Sequence, residues 1–197
     1  MSSYTRQQLE EHLKTVDVKA DRVLDVGGSQ LTIKGRTKSW KVRDYKILDL
    51  EEPHECKEKP DIVLDIQERD LYGSIDYRKW LKYFDVIFCM EVSEYWYRPY
   101  NALRNISYFM KPNGILYISF HFIYPVHNPV DQDYLRYTPR GVEKLMEQTG
   151  FEIEDMQPRL FDNDILHNTF IRSEGMRPAK EYNKHDWQGV LCKVIKI

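Results

Sequence analysis

The chain has too few cysteines, too widely spaced, for a disulfide framework or a zinc ribbon. Cys56, Cys89 and Cys192 are odd in number and form no C-x-x-C pair, which predicts reduced thiols in a cytoplasmic compartment. Long apolar runs are missing as well. Nothing approaches the roughly 18 consecutive apolar residues that a membrane span requires, and residues 1–19, which carry Arg6, Glu10, Glu11 and Lys14, lack the apolar core of a signal peptide. Neither sign of charge is in excess: 29 Lys and Arg against 31 Asp and Glu give a formal net charge of −2. No bulk electrostatic attraction to nucleic acid or to a membrane surface is therefore expected. Internal repeats and low-complexity segments are absent.

What remains is the composition of a folded domain, 42% apolar and 30% charged over 197 residues, enough for one domain with a substantial core. A single domain spanning 1–197 is expected. Thr5 with Gln8 forms a capping pair, and Leu9, Leu13 and Val16 recur at helical spacing, so a helix over about 5–17 is predicted within an N-terminal segment 1–19. Short apolar, β-branched or aromatic runs follow at 22–26, 45–49, 61–66, 85–90 and 115–120, with later strands at 151–156 and 190–195. Between them lie helical stripes: Ala102, Leu103, Ile106, Phe109 and Met110, ended by Pro112, and Val142, Leu145 and Met146, opened by Thr138-Pro139 and closed by Gly150. Trp80, Leu81 and Phe84 also recur at helical spacing. Strands alternating with helices predict an α/β fold with a largely parallel sheet covered on both sides. Residues 31–42 have little apolar periodicity and are read as a weak helix or an ordered loop. Their basic run (Lys34, Arg36, Lys38, Lys41, Arg43) reads as a solvated face or as a phosphate contact.

The polar residues that close the apolar strands carry the chemical interest. The first strand ends at Asp25 followed by Gly27-Gly28, the second at Asp49, the third at Asp65, and the fourth runs into Glu91. Four buried strands thus bring four acids to one sheet edge, and a buried carboxylate needs a partner. Asp49 follows Gly27 by 22 residues, the distance at which nucleotide-binding α/β domains place an acid on a ribose diol. Positions 27–32 read Gly-Gly-Ser-Gln-Leu-Thr. The third glycine of G-x-G-x-x-G is lacking, which disfavours a nicotinamide site and leaves room for a nucleoside without phosphates.

VLDVGG (23–28), YKILDL (45–50), DIVLDI (61–66), FDVIFCMEV (84–92) and MKPNGILYIS (110–119) resemble, in order and spacing, the class I S-adenosylmethionine-dependent methyltransferases, in the branch acting on small molecules. The likeness runs from about residue 20 to 157. It implies a three-layer Rossmann-like fold with a seven-stranded, mostly parallel sheet and a reversed last strand. It also implies S-adenosylmethionine as cofactor. By matched motif, Asp25, Gly27 and Gly28 lie along the methionine part, Asp49 binds the ribose, Asp65 and Ile66 contact adenine, and Glu91 faces the methionine or the acceptor. Two departures stand out: the glycine turn ends early, at Ser29 and Gln30, and the helix that usually follows is replaced by the basic segment. Pro125 to Thr138 resembles a segment of methyltransferases encoded near sugar and surface-polysaccharide genes. The resemblance therefore implies methyl transfer to a small molecule, a sugar or sugar nucleotide among the candidates. The alternative is a non-catalytic binding or regulatory module on the same fold.

For a hydroxyl or protonated amine acceptor a base is needed, and the histidines nearest that edge are His121 and His127. His127, with Glu91 and Tyr134, forms the expected catalytic set; His121 is read as structural. Tyr95, Trp96 and Tyr97 could wall the pocket or simply pack. Asp131 and Asp133 lack further ligands at metal spacing, so no metal is expected. Residues 158–187 read as an inserted segment before the last strand, with Phe161, Ile165, Leu166, Phe170 and Ile171 covering the acceptor site or forming a dimer contact. A monomer or a homodimer is expected.

Overall fold

The computed structural model describes residues 4–72, 74–160 and 187–197. Helix α1 (Tyr4–Leu13) leads into β1 (Asp17–Val26), β2 (Ser39–Asp49) and a two-residue β3 (Ile62–Val63). The chain continues as β4 (Phe84–Cys89), α2 (Pro99–Phe109), β5 (Met110–His121), α3 (Pro139–Gln148), β6 (Phe151–Leu160) and β7 (Trp187–Lys196). Among the described residues seven strands form one sheet in the order β3-β2-β1-β4-β5-β7-β6. β1 pairs in parallel with β2 and β4, and β4 with β5, whereas β7 runs antiparallel to both β5 and β6. The expected fold is therefore present: an α/β Rossmann-like sheet with a reversed last strand inserted between the fifth and the sixth.

Successive side chains of a strand point to opposite faces, and the core divides accordingly. On one face Leu24, Val26, Ile87, Leu116 and Ile118 meet Ala102, Leu103 and Ile106 of α2 and Val142 and Met146 of α3. On the other, Val23, Val86, Phe88 and Tyr117 meet Leu9 and Leu13 of α1, joined by Ile33 from the β1–β2 connection. α3 starts as its sequence demands: the Thr138 hydroxyl accepts from the Gly141 amide at 3.1 Å and Pro139 occupies the first turn, a cap worth about 1 kcal/mol. The end of α2 is satisfied from afar, because Lys196 Nζ donates to the carbonyls of Ser107 and Met110 at 2.6 and 3.0 Å.

Several boundaries differ from expectation. α1 stops at Leu13, because Thr15 folds back to the His12 carbonyl (2.7 Å) and β1 already begins at Asp17. Residues 27–38 hold no helix; they form an ordered connection, and β2 takes Lys41 and Arg43 as strand residues. The third strand shrinks from six residues to two: Ile62 and Val63 pair with Leu48 and Asp49, while Asp61 turns its carboxylate back to the Ile47 amide (2.9 Å). Trp80 sits in a short 3-10 turn, Arg78–Trp80, rather than a helix. α2 ends at Phe109, before Pro112, and passes directly into β5. Pro158–Leu160 belong to β6 and Trp187 to β7, so the segment expected at 158–187 is shorter at both ends; Phe161, Ile165, Leu166, Phe170 and Ile171 lie outside the described residues.

Candidate functional site

The carboxyl ends of β1, β2 and β4 meet at the glycine turn. Gly27 adopts φ +76°, a left-handed conformation that costs other residues, and a Cβ there would lie 2.3 Å from Val92 Cγ2. Val92, just past β4, thus rests against the bare face of the turn. Gly28 follows, against the carboxyl group of Asp25. Asp25 is buried, and its Oδ2 accepts from the Ile33 amide (2.7 Å) and the Tyr45 hydroxyl (2.6 Å). It folds the turn back over β2, standing in for the absent helix.

Burial pushes the Asp25 carboxyl up from 3.8 to about 6, although Tyr45 and Ile33 stabilise its charged form. Between those values the folded state holds a proton that the unfolded chain has lost, so stability falls as pH rises through this window. Asp25→Asn keeps an oxygen for both donors and removes the titration. Denaturant midpoints measured from about pH 4 to 6 should decline in the wild type and stay flatter in the variant; equal slopes would contradict this assignment.

Asp49 closes β2. Its Oδ2 accepts the Ser29 amide (3.1 Å) and its Oδ1 the Leu50 amide (2.9 Å). The Ser29 carbonyl in turn accepts from Lys57 and Glu58 (both 2.9 Å), and Gln30 donates to Glu55 (2.8 Å), so the turn and the segment after β2 are tied together. A cleft of about 690 Å³ opens beside this edge, lined by Leu50, Glu51, Leu64, Asp65, Arg69 and Arg98 among others. Its inner wall is held by buried amides. Asn105 of α2 donates to the Ile66 carbonyl (2.7 Å) and accepts from Leu71 (2.9 Å), while Gln67 accepts from Tyr97 and Arg98 (2.6 and 3.1 Å) at the start of α2. Asp65 caps its own turn through Gln67 N–H (3.1 Å), and the Ile66 side chain is buried.

Beyond β4, Glu91 has φ 60°, a strained value for a non-glycine residue. The surroundings hold it there. Its amide donates to Ser119 Oγ (2.7 Å), the Ser119 hydroxyl returns a bond to Oε1 (2.9 Å), and Arg159 of β6 grips both carboxylate oxygens (2.7 and 3.2 Å). His121 Nε2 lies 3.3 Å from Glu91 and 3.4 Å from Glu94. His121, Glu94 and Arg159 are 1%, 0% and 0% exposed. Burial alone would lower the His121 pKa, but the Glu91 and Glu94 carboxylates outweigh it and hold the value at about 10. Burial would likewise raise Glu91; His121 and Arg159 reverse the effect and keep it well below the usual range.

Tyr124 links this quartet to the 122–138 segment: its ring stacks on His121 (centroids 4.2 Å) and meets His127 edge-on (5.9 Å). His127 Nδ1 contacts the Tyr95 hydroxyl, and the His127 amide donates to Asp133 (2.5 Å), itself paired with Arg136. Tyr134 donates its amide to the Glu94 carbonyl (2.9 Å) and sets its half-exposed ring against Tyr97 (5.6 Å, edge-to-face).

The structure therefore gathers Asp25, Gly27, Gly28 and Asp49 around one turn that Val92 touches, ties the preceding Glu91 to Ser119, His121 and Arg159, places Asp65 in the lining of the adjoining cleft with the Ile66 side chain buried, and sets His127 and Tyr134 on the β5 side. Arg159, Glu94, Ser119 and Tyr45 were not anticipated as site residues. In the basic run, Arg36, Lys38 and Arg43 are paired with Glu10, Asp17 and Asp21, which favours the solvated face over phosphate recognition. Among the described residues no three His, Cys, Asp or Glu side chains gather as metal ligands, and no helix is long and apolar enough to cross a membrane.

A family model described as a methyltransferase domain matches residues 49–118. No curated protein matches the chain. Solved structures do. An S-adenosylmethionine-dependent methyltransferase from Mesorhizobium loti is 15% identical with a TM-score of 0.60, and the match covers 99% of each chain. A Haloferax volcanii chain solved with the Trm112 methyltransferase activator is 15% identical with a TM-score of 0.59, covering 98% of this chain and 88% of that one. The 1,6-didemethyltoxoflavin-N1-methyltransferase of Burkholderia thailandensis, solved with its substrate and S-adenosylhomocysteine, is 16% identical with a TM-score of 0.55, covering 98% and 76%. With its sheet order, its reversed strand and these solved neighbours, the chain has the fold of the S-adenosylmethionine-dependent methyltransferases, and its segment 49–118 matches a methyltransferase domain.

Proposed function

We propose that this protein binds S-adenosylmethionine along the carboxyl edge of β1, β2 and β3 and transfers its methyl group to a small molecule held by the 122–138 segment. The observation that carries this reading is the cleft of about 690 Å³ at the ends of β2 and β3, with Asp65 in its lining and Leu50, the neighbour of Asp49, at its edge, on a methyltransferase fold. The nucleoside end of the cofactor fits the residues present. Each Asp49 oxygen accepts one amide and keeps lone-pair capacity for ribose hydroxyls, while Asp65 lines the cleft. When bound, the sulfonium supplies a methyl group that is already activated, so the protein's task is alignment and, for a hydroxyl acceptor, removal of a proton. His127, Glu91 and Tyr134 are the residues proposed to meet the acceptor. The acceptor is assigned as a small molecule: structural neighbours are named for substrates as different as 1,6-didemethyltoxoflavin and mitomycin, and three of the five cations of the basic run are committed to carboxylates.

The methionine end fits less well, and this favours a second reading. Val92 rests against Gly27 and Arg159 is committed to Glu91, so on this reading the chain crowds the place proposed for the cofactor's tail. A module that binds an adenine nucleoside without turnover would look the same. Calorimetry with S-adenosylmethionine and, separately, with adenosine divides the two. Methyl transfer requires the full cofactor to bind more tightly than adenosine, and Val92→Ala to strengthen the cofactor alone. Equal affinities, unaltered by Val92→Ala, would favour the binding module.

A further inference from the structure

His127 and Tyr95 form a pair whose protons can be counted. The Tyr95 hydroxyl lies 2.7 Å from the Asn128 carbonyl oxygen and also contacts His127 Nδ1. A phenol carries one hydrogen, and a carbonyl oxygen only accepts, so that hydrogen belongs to the Asn128 bond. The contact with His127 then closes only if Nδ1 carries the hydrogen and the Tyr95 oxygen accepts it. Burial, followed by the nearby carboxylates of Glu94, Asp133 and Glu91, pushes the Tyr95 pKa up, so the phenol keeps its proton. In a neutral imidazole with hydrogen on Nδ1, Nε2 is a bare acceptor. Nε2 of His127 makes no hydrogen bond among the described residues, and the ring is only half-buried. The backbone beneath it is fixed: Asp133 accepts the His127 amide at 2.5 Å, and Arg136, which grips Asp133, also donates to the carbonyls of Tyr124 and Pro125 (3.1 and 2.9 Å).

We infer that Tyr95 is a positioning residue that locks His127 in the Nδ1–H tautomer and thereby presents Nε2 as the proton acceptor for an acceptor's hydroxyl or ammonium group. Nε2 takes the proton the acceptor loses, leaving an imidazolium with hydrogen on both nitrogens, and water receives the Nε2 proton afterwards. The catalytic use of the pair rests on the methyl-transfer reading above; the tautomer does not.

Long-range 1H–15N NMR of the imidazoles, on the full uniformly labelled chain about two pH units above the ordinary imidazole pKa of ~6.5, reads the tautomer directly. The His127 signals are assigned by their loss in His127→Gln. In the wild type the expected pattern is a protonated Nδ1 and a bare Nε2. In Tyr95→Phe the pattern should shift toward hydrogen on Nε2, with S-adenosylmethionine affinity within about twofold of wild type, under half a kcal/mol. A wild-type His127 with hydrogen on Nε2, or an unchanged tautomer in Tyr95→Phe, would overturn the inference. A locked tautomer in a chain that binds no cofactor would instead overturn methyl transfer and leave the lock standing.

Discussion

Arg159→Met is expected to destabilise the fold by about 3–5 kcal/mol, the cost of leaving a buried charge without its partner. Arg159 is fully buried and holds both Glu91 oxygens at 2.7 and 3.2 Å. Without it two acids, Glu91 and Glu94, share one imidazolium. Pairing the substitution with Glu91→Gln should recover much of the loss, because a neutral amide needs no counter-charge. Urea denaturation of the two single variants and the double variant closes the cycle. A loss below about 1 kcal/mol in Arg159→Met, as for an exposed pair, would contradict this account of the quartet. The same groups set a pH window. His121, held at about 10 against an ordinary 6.5, contributes stability that is complete below the unfolded value and is lost as pH rises through about 10. Glu91, held well below 4.5, contributes stability present above that value and lost as pH falls through its depressed pKa. The quartet is therefore most stabilising from about pH 5 to 7.

Gly189→Ala should be nearly as damaging, for a steric reason at the same place. Gly189 of β7 lies in register between His121 of β5 and Arg159 of β6. A Cβ there would stand 2.2 Å from the Phe120 carbonyl oxygen and 3.3 Å from His121 Cα. The obstacle is backbone within a sheet ladder, so no side chain can rotate away and the strands must part. Overpacking typically costs about 1–3 kcal/mol. The upper end or more is expected here, because separating β5 from β7 also loosens the ion pairs that hold Glu91. For a domain of this size that is a fall in Tm of roughly 6 °C or more. An unchanged Tm would mean that the sheet bends without cost at this point and does not clamp the quartet.

The frame was legible because period-two and period-3.6 patterns survive wherever one face of an element is buried. The runs at 85–90 and 115–120, the stripe of Ala102, Leu103 and Ile106, and the Thr138-Pro139 start all carry that signal, and all are present. Arg159 was not legible: β6 shifts register between Ile153 and Asp155 and again between Arg159 and Leu160, which breaks the alternation just where the strand would reveal an inward-facing cation. The start of β2 was hidden by its charges, because Lys41 and Arg43 lie where the sheet is thinly covered and polar side chains reach water. At the glycine turn the sequence showed a missing glycine and a missing helix, but not what replaces them. The replacement is assembled from distant residues: Tyr45 and Ile33 on Asp25, Ser29 on Asp49, Val92 on Gly27. Such contacts have no local signature.

Those contacts surround the proposed site for S-adenosylmethionine, in which Asp49 meets the ribose. Calorimetric titration of S-adenosylmethionine into the wild-type chain and into Asp49→Ala tests it most directly. Saturable one-to-one binding is expected of the wild type and a loss of at least tenfold in affinity of the variant, about 1.4 kcal/mol, with far-UV circular dichroism unchanged. No binding by the wild type, or equal binding by both proteins, would contradict it.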